Sequence, residues 1–163
     1  MDDFDVRQRV LDLVADLDIR RLMYEYAATI DARDWSRLRA VLADDVVVEF
    51  HNGRTVVSGA DAVVAYVDEN TRHLAWQHHT VSPYAIDCDG DRAMGRSYLI
   101  SHQMIAADPR RVLIMAAYYD TEYIRTTDGW RIARMVHTIT MTNFAPLTST
   151  PPDGVPIPPP VAP

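Results

Sequence analysis

Two places in this chain combine residue types and spacing suited to acid–base chemistry: an aspartate on a helix stripe and a pair of adjacent histidines in a strand. Asp31 stands in "IDARDW". In the segment leading to it, Ile19, Leu22, Met23, Tyr26, Ala27 and Ile30 recur at helical spacing and form one apolar face. Asp31 lies on the shoulder of that face, one turn after Ala27, and Tyr24 lies two turns earlier on nearly the same side. His78 and His79 stand in "LAWQHHTVSPY". Neighbours in a strand point to opposite faces, so Trp76, His78, Thr80 and Ser82 share one side and Gln77, His79 and Val81 the other. The Trp76 side carries the larger groups. That predicts His78 in a pocket and His79 on the sheet surface or at an interface.

Further candidates follow on later strands. His102 shares a face with Tyr98, Ile100 and Met104, and Tyr119 shares one with Leu113, Met115 and Ala117. Arg134 and His137 are secondary candidates on the last strand. His51 and His73 fall at predicted element ends and are expected to face solvent. Each residue also has a plain structural reading, as a turn cap, a satisfied core histidine or an interface tyrosine. There is no GxGxxG, GxxxxGK[ST], GxSxG or HExxH spacing, and the single cysteine, Cys88, has no internal partner. No cofactor or metal is therefore expected. One carboxylate, two or three imidazoles and several phenols suit proton abstraction and elimination better than redox or phosphoryl transfer.

The elements that must position these groups are legible as periods. Residues 5–33 read as helix, with Asp18 placed to cap its better half. "DWSRLRAVLADD" reads as a short helix, "VVVEF" and "RTVVSG" as a hairpin, and "GADAVVAYVDENTR" as helix again. Three turn signals, "CDGDR", "AADPRR" and "TTDGW", then separate four long strands at roughly 74–88, 92–107, 111–126 and 129–144. Helices first and a meander last predict an α+β fold, a cone-shaped, curved, mostly antiparallel sheet packed against N-terminal helices. Eight of the ten prolines fall from Pro146 onward. Residues 1–145 are thus predicted as one domain and 146–163 as an extended Pro-rich tail, polyproline or irregular, packed on the barrel or on a neighbouring subunit.

The net charge of −7, without a basic cluster, argues against nucleic acid and anionic membranes as partners. No apolar run approaches a membrane span and the N-terminus has no apolar signal region, so a cytoplasmic protein is expected. The sheet face left uncovered by helices predicts a homo-oligomer, with Leu99, Ile105 and Val136 at the contact.

"YEYAATIDARDWSRLRAVLADDVVVEF", "WQHHTVSPYAIDCDGDRAMGRSYLISHQ" and "YYDTEYIRTTDGWRIAR" resemble the SnoaL-like proteins of the nuclear transport factor 2 superfamily over about residues 8–145. Within that family the chain looks like the scytalone dehydratases and hexachlorocyclohexane dehydrochlorinases. The resemblance implies a cone-shaped α+β barrel, a trimer or dimer, and a cofactor-independent lyase with Asp31 and His78 as its dyad and His102 as a second histidine. Ile30 and Phe50 stand where the dehydratases hold a water with tyrosines, and Tyr26 stands where the dehydrochlorinases have a lysine. The expected reaction is dehydratase-type elimination on a small hydrophobic cyclic molecule. His78 removes the proton, Asp31 orients it, and His102 with Tyr24 or Tyr119 donates to the leaving oxygen. Tyr24, Tyr26, Phe50, Trp76, Met104, Met115 and Tyr119 are the expected substrate contacts. The same pocket would serve a polyketide cyclase, a double-bond isomerase or a non-catalytic binding or assembly domain.

Overall fold

In the computed structural model, which describes residues 3–146, the apolar stripe becomes the spine of one long helix, α1 (Asp3–Ala32). Ala15, Ile19, Met23, Tyr26, Ala27 and Ile30 are buried along it, and fully burying a side chain such as Ile19 or Met23 stabilises the fold by about 1.5–3 kcal/mol. Asp18 lies inside this helix and pairs with Arg21 at 3.9 Å, so it caps nothing. The capping aspartate is Asp34, which accepts a hydrogen bond from the Arg37 backbone at the start of α2 (Trp35–Ala40).

The second helix is shorter than its sequence suggests because the apolar run enters the sheet early. β1 spans Leu42–Phe50 and turns into β2 (Thr55–Ser58). After α3 (Ala60–Thr71) come four long strands, β3 (Leu74–Asp89), β4 (Arg92–Ile105), β5 (Arg111–Thr126) and β6 (Gly129–Pro146). The sheet order is β2-β1-β6-β5-β4-β3. β1 runs parallel to β6 and every other pairing is antiparallel. The sheet is mixed and stays open, because β2 and β3 are its edges. α1 lies against β3 and β6, and α3 against β1 and β2. The core between them includes Val46, Val48, Val63, Ile132 and Met135.

Bulges decide which side chains face this core. One residue is extra at Ala75 and another at Tyr84 in β3, where the pairing with β4 shifts. Leu74 faces in, and the bulge at Ala75 passes the inward face to Gln77 and His79, leaving Trp76 and His78 outside. On β4 the inward residues are Ala93, Ser97, Leu99 and Ser101, and Tyr98 and Ile100 are exposed. An extra residue at Ala133 in β6 likewise turns Met135 and His137 inward. Leu99, expected at an oligomer contact, is therefore a core residue, with Ile105 and Val136 half-buried. Among the described residues no helix is long and apolar enough to cross a membrane. Beyond Pro146, which ends β6, the Pro-rich tail lies outside the described residues.

Candidate active site

Asp31 is delivered by the way α1 ends. Arg33 takes a left-handed conformation, φ 56°, just past the helix. The Asp34 backbone N–H then reaches Thr29 O at 2.9 Å and the Arg33 N–H reaches Ile30 O at 3.1 Å. The Arg33 guanidinium donates to Thr71 O at 2.9 Å and Leu74 O at 2.7 Å, and Gln77 Nε2 donates to Ile30 O at 2.6 Å. These bonds pin the last turn of α1 to the start of β3.

The pinned turn brings Asp31 against His79. Asp31 Oδ1 lies 2.5 Å from His79 Nδ1, and Asp31 Oδ2 accepts the His79 backbone N–H at 2.8 Å. An ionised carboxylate offers acceptors alone, so the imidazole proton is assigned to Nδ1 and Nε2 keeps its lone pair. The carboxylate stands at the negative end of a helix, and both of its oxygens are met by N–H groups of one residue. The His79 side chain is 10% exposed. His78 is a correction to the sequence reading: its Nδ1 is 3.7 Å from Asp31 Oδ2, its side chain is 59% exposed, and it stacks on Trp76. The bulge at Ala75 exchanged the two histidines.

His79 opens onto a cavity of about 120 Å³ whose walls include Tyr26, Phe50, Leu99, Met115 and Tyr119. Tyr26, Phe50, Met115 and Tyr119 thus stand where the sequence placed them. Four other expected site residues do not line it. Tyr24 is 52% exposed on the outer side of α1, and Trp76 is 44% exposed. His102 and Met104 pair with His78 and Trp76 on the outward face of β4, and Gln103 lines the cavity instead. Tyr26 and Tyr119 pack edge to face at 5.8 Å. Burial raises both phenols above their ordinary range, so both keep their protons at neutral pH.

The far wall holds groups the sequence reading left in solvent or in reserve. His51, φ 54°, follows the end of β1 in a turn that Asn52 ties to β6: Asn52 Nδ2 donates to Ile139 O at 3.1 Å and Asn52 Oδ1 accepts the Ile139 N–H at 2.8 Å. This turns the His51 ring inward, with Nδ1 3.3 Å from Tyr66 Oη. Tyr66 stacks on Phe50, and His137 lies 6.0 Å from His51 and 5.1 Å from Tyr119 between ring centroids. The positive-φ pair "HN" was the available signal for His51, since histidine and asparagine tolerate that region. Nothing local marks the bulge that turns His137 inward. Arg134, its companion candidate, points outward to Glu49 and Glu122.

A larger groove of about 390 Å³ lies at the opposite end of the sheet, beside Asp87, Cys88, Met94 and Tyr123. It contains no histidine, whereas the smaller cavity is lined by His51, His79 and His137.

The SnoaL-like domain family matches residues 12–136. An uncharacterized Mycobacterium tuberculosis protein is 26% identical over 122 residues, 75% of this chain and 83% of that protein. A scytalone dehydratase-like protein of Novosphingobium aromaticivorans superposes with a TM-score of 0.75 at 22% identity, over 88% of this chain and 95% of that one. A type 3 hexachlorocyclohexane dehydrochlorinase of Novosphingobium barchaimii superposes with a TM-score of 0.71 at 19% identity, over 88% and 97%. At these identities the two structures speak for the fold. With the family matched over most of its length, and with helices and a curved mixed sheet shared by solved relatives, this chain belongs to the SnoaL-like domain family.

Proposed function

We propose that the protein is a cofactor-independent lyase that eliminates water from a small cyclic substrate, with Asp31 and His79 as its acid–base dyad. The observation that carries this reading is the 2.5 Å contact between Asp31 Oδ1 and His79 Nδ1 at the wall of a largely apolar cavity. His79 Nε2 takes the proton from a carbon beside a carbonyl. Asp31 holds the tautomer and stabilises the imidazolium. The protonated phenols of Tyr26 and Tyr119 hydrogen-bond the oxygen that gains charge. His79 then returns its proton to the departing hydroxyl, so the β-hydroxy ketone becomes an enone plus water and the dyad is restored. The dehydratase and dehydrochlorinase relatives on the same fold, both named for eliminations, support this choice.

The test is turnover of 3-hydroxycyclohexanone to the enone. Wild type is expected to catalyse it, His78→Ala to keep the wild-type rate, and Asp31→Asn and His79→Ala to lose about 10²–10⁴-fold. Full activity in either of the last two variants overturns the dyad. The buried phenols also favour a second reading, double-bond isomerisation through an enolate, which moves the double bond without releasing water.

A further inference from the structure

The cavity that His79 lines holds a second hydrogen-bonded histidine, which the dyad does not use. His51 and Tyr66 both line it and both are half-buried. They are fixed from different elements. Tyr66 stands on α3 between the buried Val63 and Val67, and its ring stacks on Phe50 at 4.5 Å. His51 stands in the turn after β1, which the Asn52 backbone N–H ties to His137 O at 3.0 Å. The contact of His51 Nδ1 with Tyr66 Oη, 3.3 Å, is the one hydrogen bond that either side chain makes among the described residues. His51 Nε2 makes none, and unlike His137 Nε2 it is not closed off from solvent.

The partner decides where an imidazole hydrogen sits. At His79 the partner is a carboxylate, which only accepts, so the hydrogen is on Nδ1 and Nε2 is bare. At His51 the partner is a phenol. A phenol is a stronger acid than a neutral imidazole N–H, and an imidazole nitrogen is a stronger base than a phenol oxygen. The favoured bond therefore runs from Tyr66 Oη–H to His51 Nδ1, and the neutral His51 ring carries its hydrogen on Nε2. An elimination uses both kinds of group, a base at the carbon and a donor at the oxygen that departs with its electron pair. We propose that His51 is a further catalytic residue, whose Nε2–H, set by Tyr66, donates a hydrogen bond to the leaving hydroxyl while His79 works at the carbon. Tyr66 is its positioning residue. No proton leaves His51: the hydroxyl departs as water with the proton that His79 returns. The proposal deepens the lyase reading and rests on it for the reaction, whereas the tautomer of His51 is independent of it.

Two-bond ¹H–¹⁵N correlation spectra of the full chain at neutral pH report which ring nitrogen of each histidine carries the hydrogen. Wild type is expected to show His51 protonated on Nε2 and His79 on Nδ1, and Tyr66→Phe to lose the preference at His51 alone. The kinetic arm compares 3-hydroxycyclohexanone with 3-acetoxycyclohexanone, whose acetate departs without a donor. The ratio of kcat/KM for the hydroxy over the acetoxy ketone is expected to fall about 10²-fold in His51→Asn, the worth of one such donor. Asparagine tolerates the positive φ at that position. A merely structural role would slow both ketones alike and leave the ratio in place. A His51 hydrogen on Nδ1 in wild type, or an unchanged ratio in His51→Asn, overturns the proposal, and the wild-type spectra decide the tautomer even if that variant does not fold. An unchanged ratio beside an inactive Asp31→Asn removes His51 and leaves the dyad standing. A wild type inactive on both ketones overturns the lyase reading and the role of His51 with it.

Discussion

Burial holds the His137 imidazole at a pKa of about 4, with the neighbouring His51 and His79 lowering it further in the same direction. The unfolded chain takes up that proton near 6.5. Between about 6.5 and about 4 the unfolded state therefore binds more protons than the folded one, and stability falls as the pH drops through that window. The whole shift corresponds to roughly 3 kcal/mol. Urea midpoints measured between pH 7 and pH 4 should decline steeply in wild type and less in His137→Gln. An identical slope in that variant would assign the acid sensitivity elsewhere. At the same scale, burial is the first cause that raises the phenols of Tyr26 and Tyr119, so both stay protonated across the neutral range.

At the scale of elements, the site depends on two features that bend or anchor strands. The bulge at Tyr84 in β3 falls where the pairing runs from Pro83–Ser97 to Ala85–Arg96, and Gly95 follows at the next pair, opposite Ile86. A Cβ built on Gly95 would stand 2.6 Å from the Ala85 carbonyl oxygen and 3.1 Å from the Ile86 side chain. Backbone cannot yield as a flexible side chain does, so Gly95→Ala should lower stability by about 1–3 kcal/mol, the usual range for overpacking. Thermal unfolding checks this, and a melting temperature equal to wild type would show that the bulge is adaptable. The anchor is Arg33, whose bonds to Thr71 O and Leu74 O tie the end of α1 to the end of α3 and the start of β3. It holds Asp31 and His79 at hydrogen-bond distance although they are far apart in sequence.

At the scale of the molecule, the sheet carries exposed apolar side chains on its outer face as well as a buried core on its inner one. Small residues such as Ser97, Ser101 and Ala117 face inward and leave room for the cavity. The outward face carries Trp76, Tyr84, Met94, Tyr98, Ile100 and Met141, all exposed. Exposed apolar side chains gathered on one sheet face are what a contact surface would cover. A second copy of the chain is the occupant expected from the sequence, and these residues, not Leu99, are what it would cover. Sedimentation is expected to give a mass above that of one chain, falling to one chain in a Tyr98→Glu, Ile100→Glu double variant. A monomeric wild type would refute self-association through this face.

The order and type of nearly every element were legible in the residues, because apolar period and turn chemistry are local. The four long strands, the α1 stripe and the position of Asp31 on its shoulder follow from spacing alone. The family resemblance pointed to an Asp–His pair. Which histidine completes it was not legible: single extra residues at Ala75 and Ala133 exchange the two faces of a strand, and they exist only as a mismatch with the neighbouring strand. Counting alternate residues placed His78 and His102 inside and left His51 and His137 aside. Only the paired sheet decided that Asp31 meets His79, and that His137 lines the same cavity, because strand parity is a property of the pairing and not of the strand.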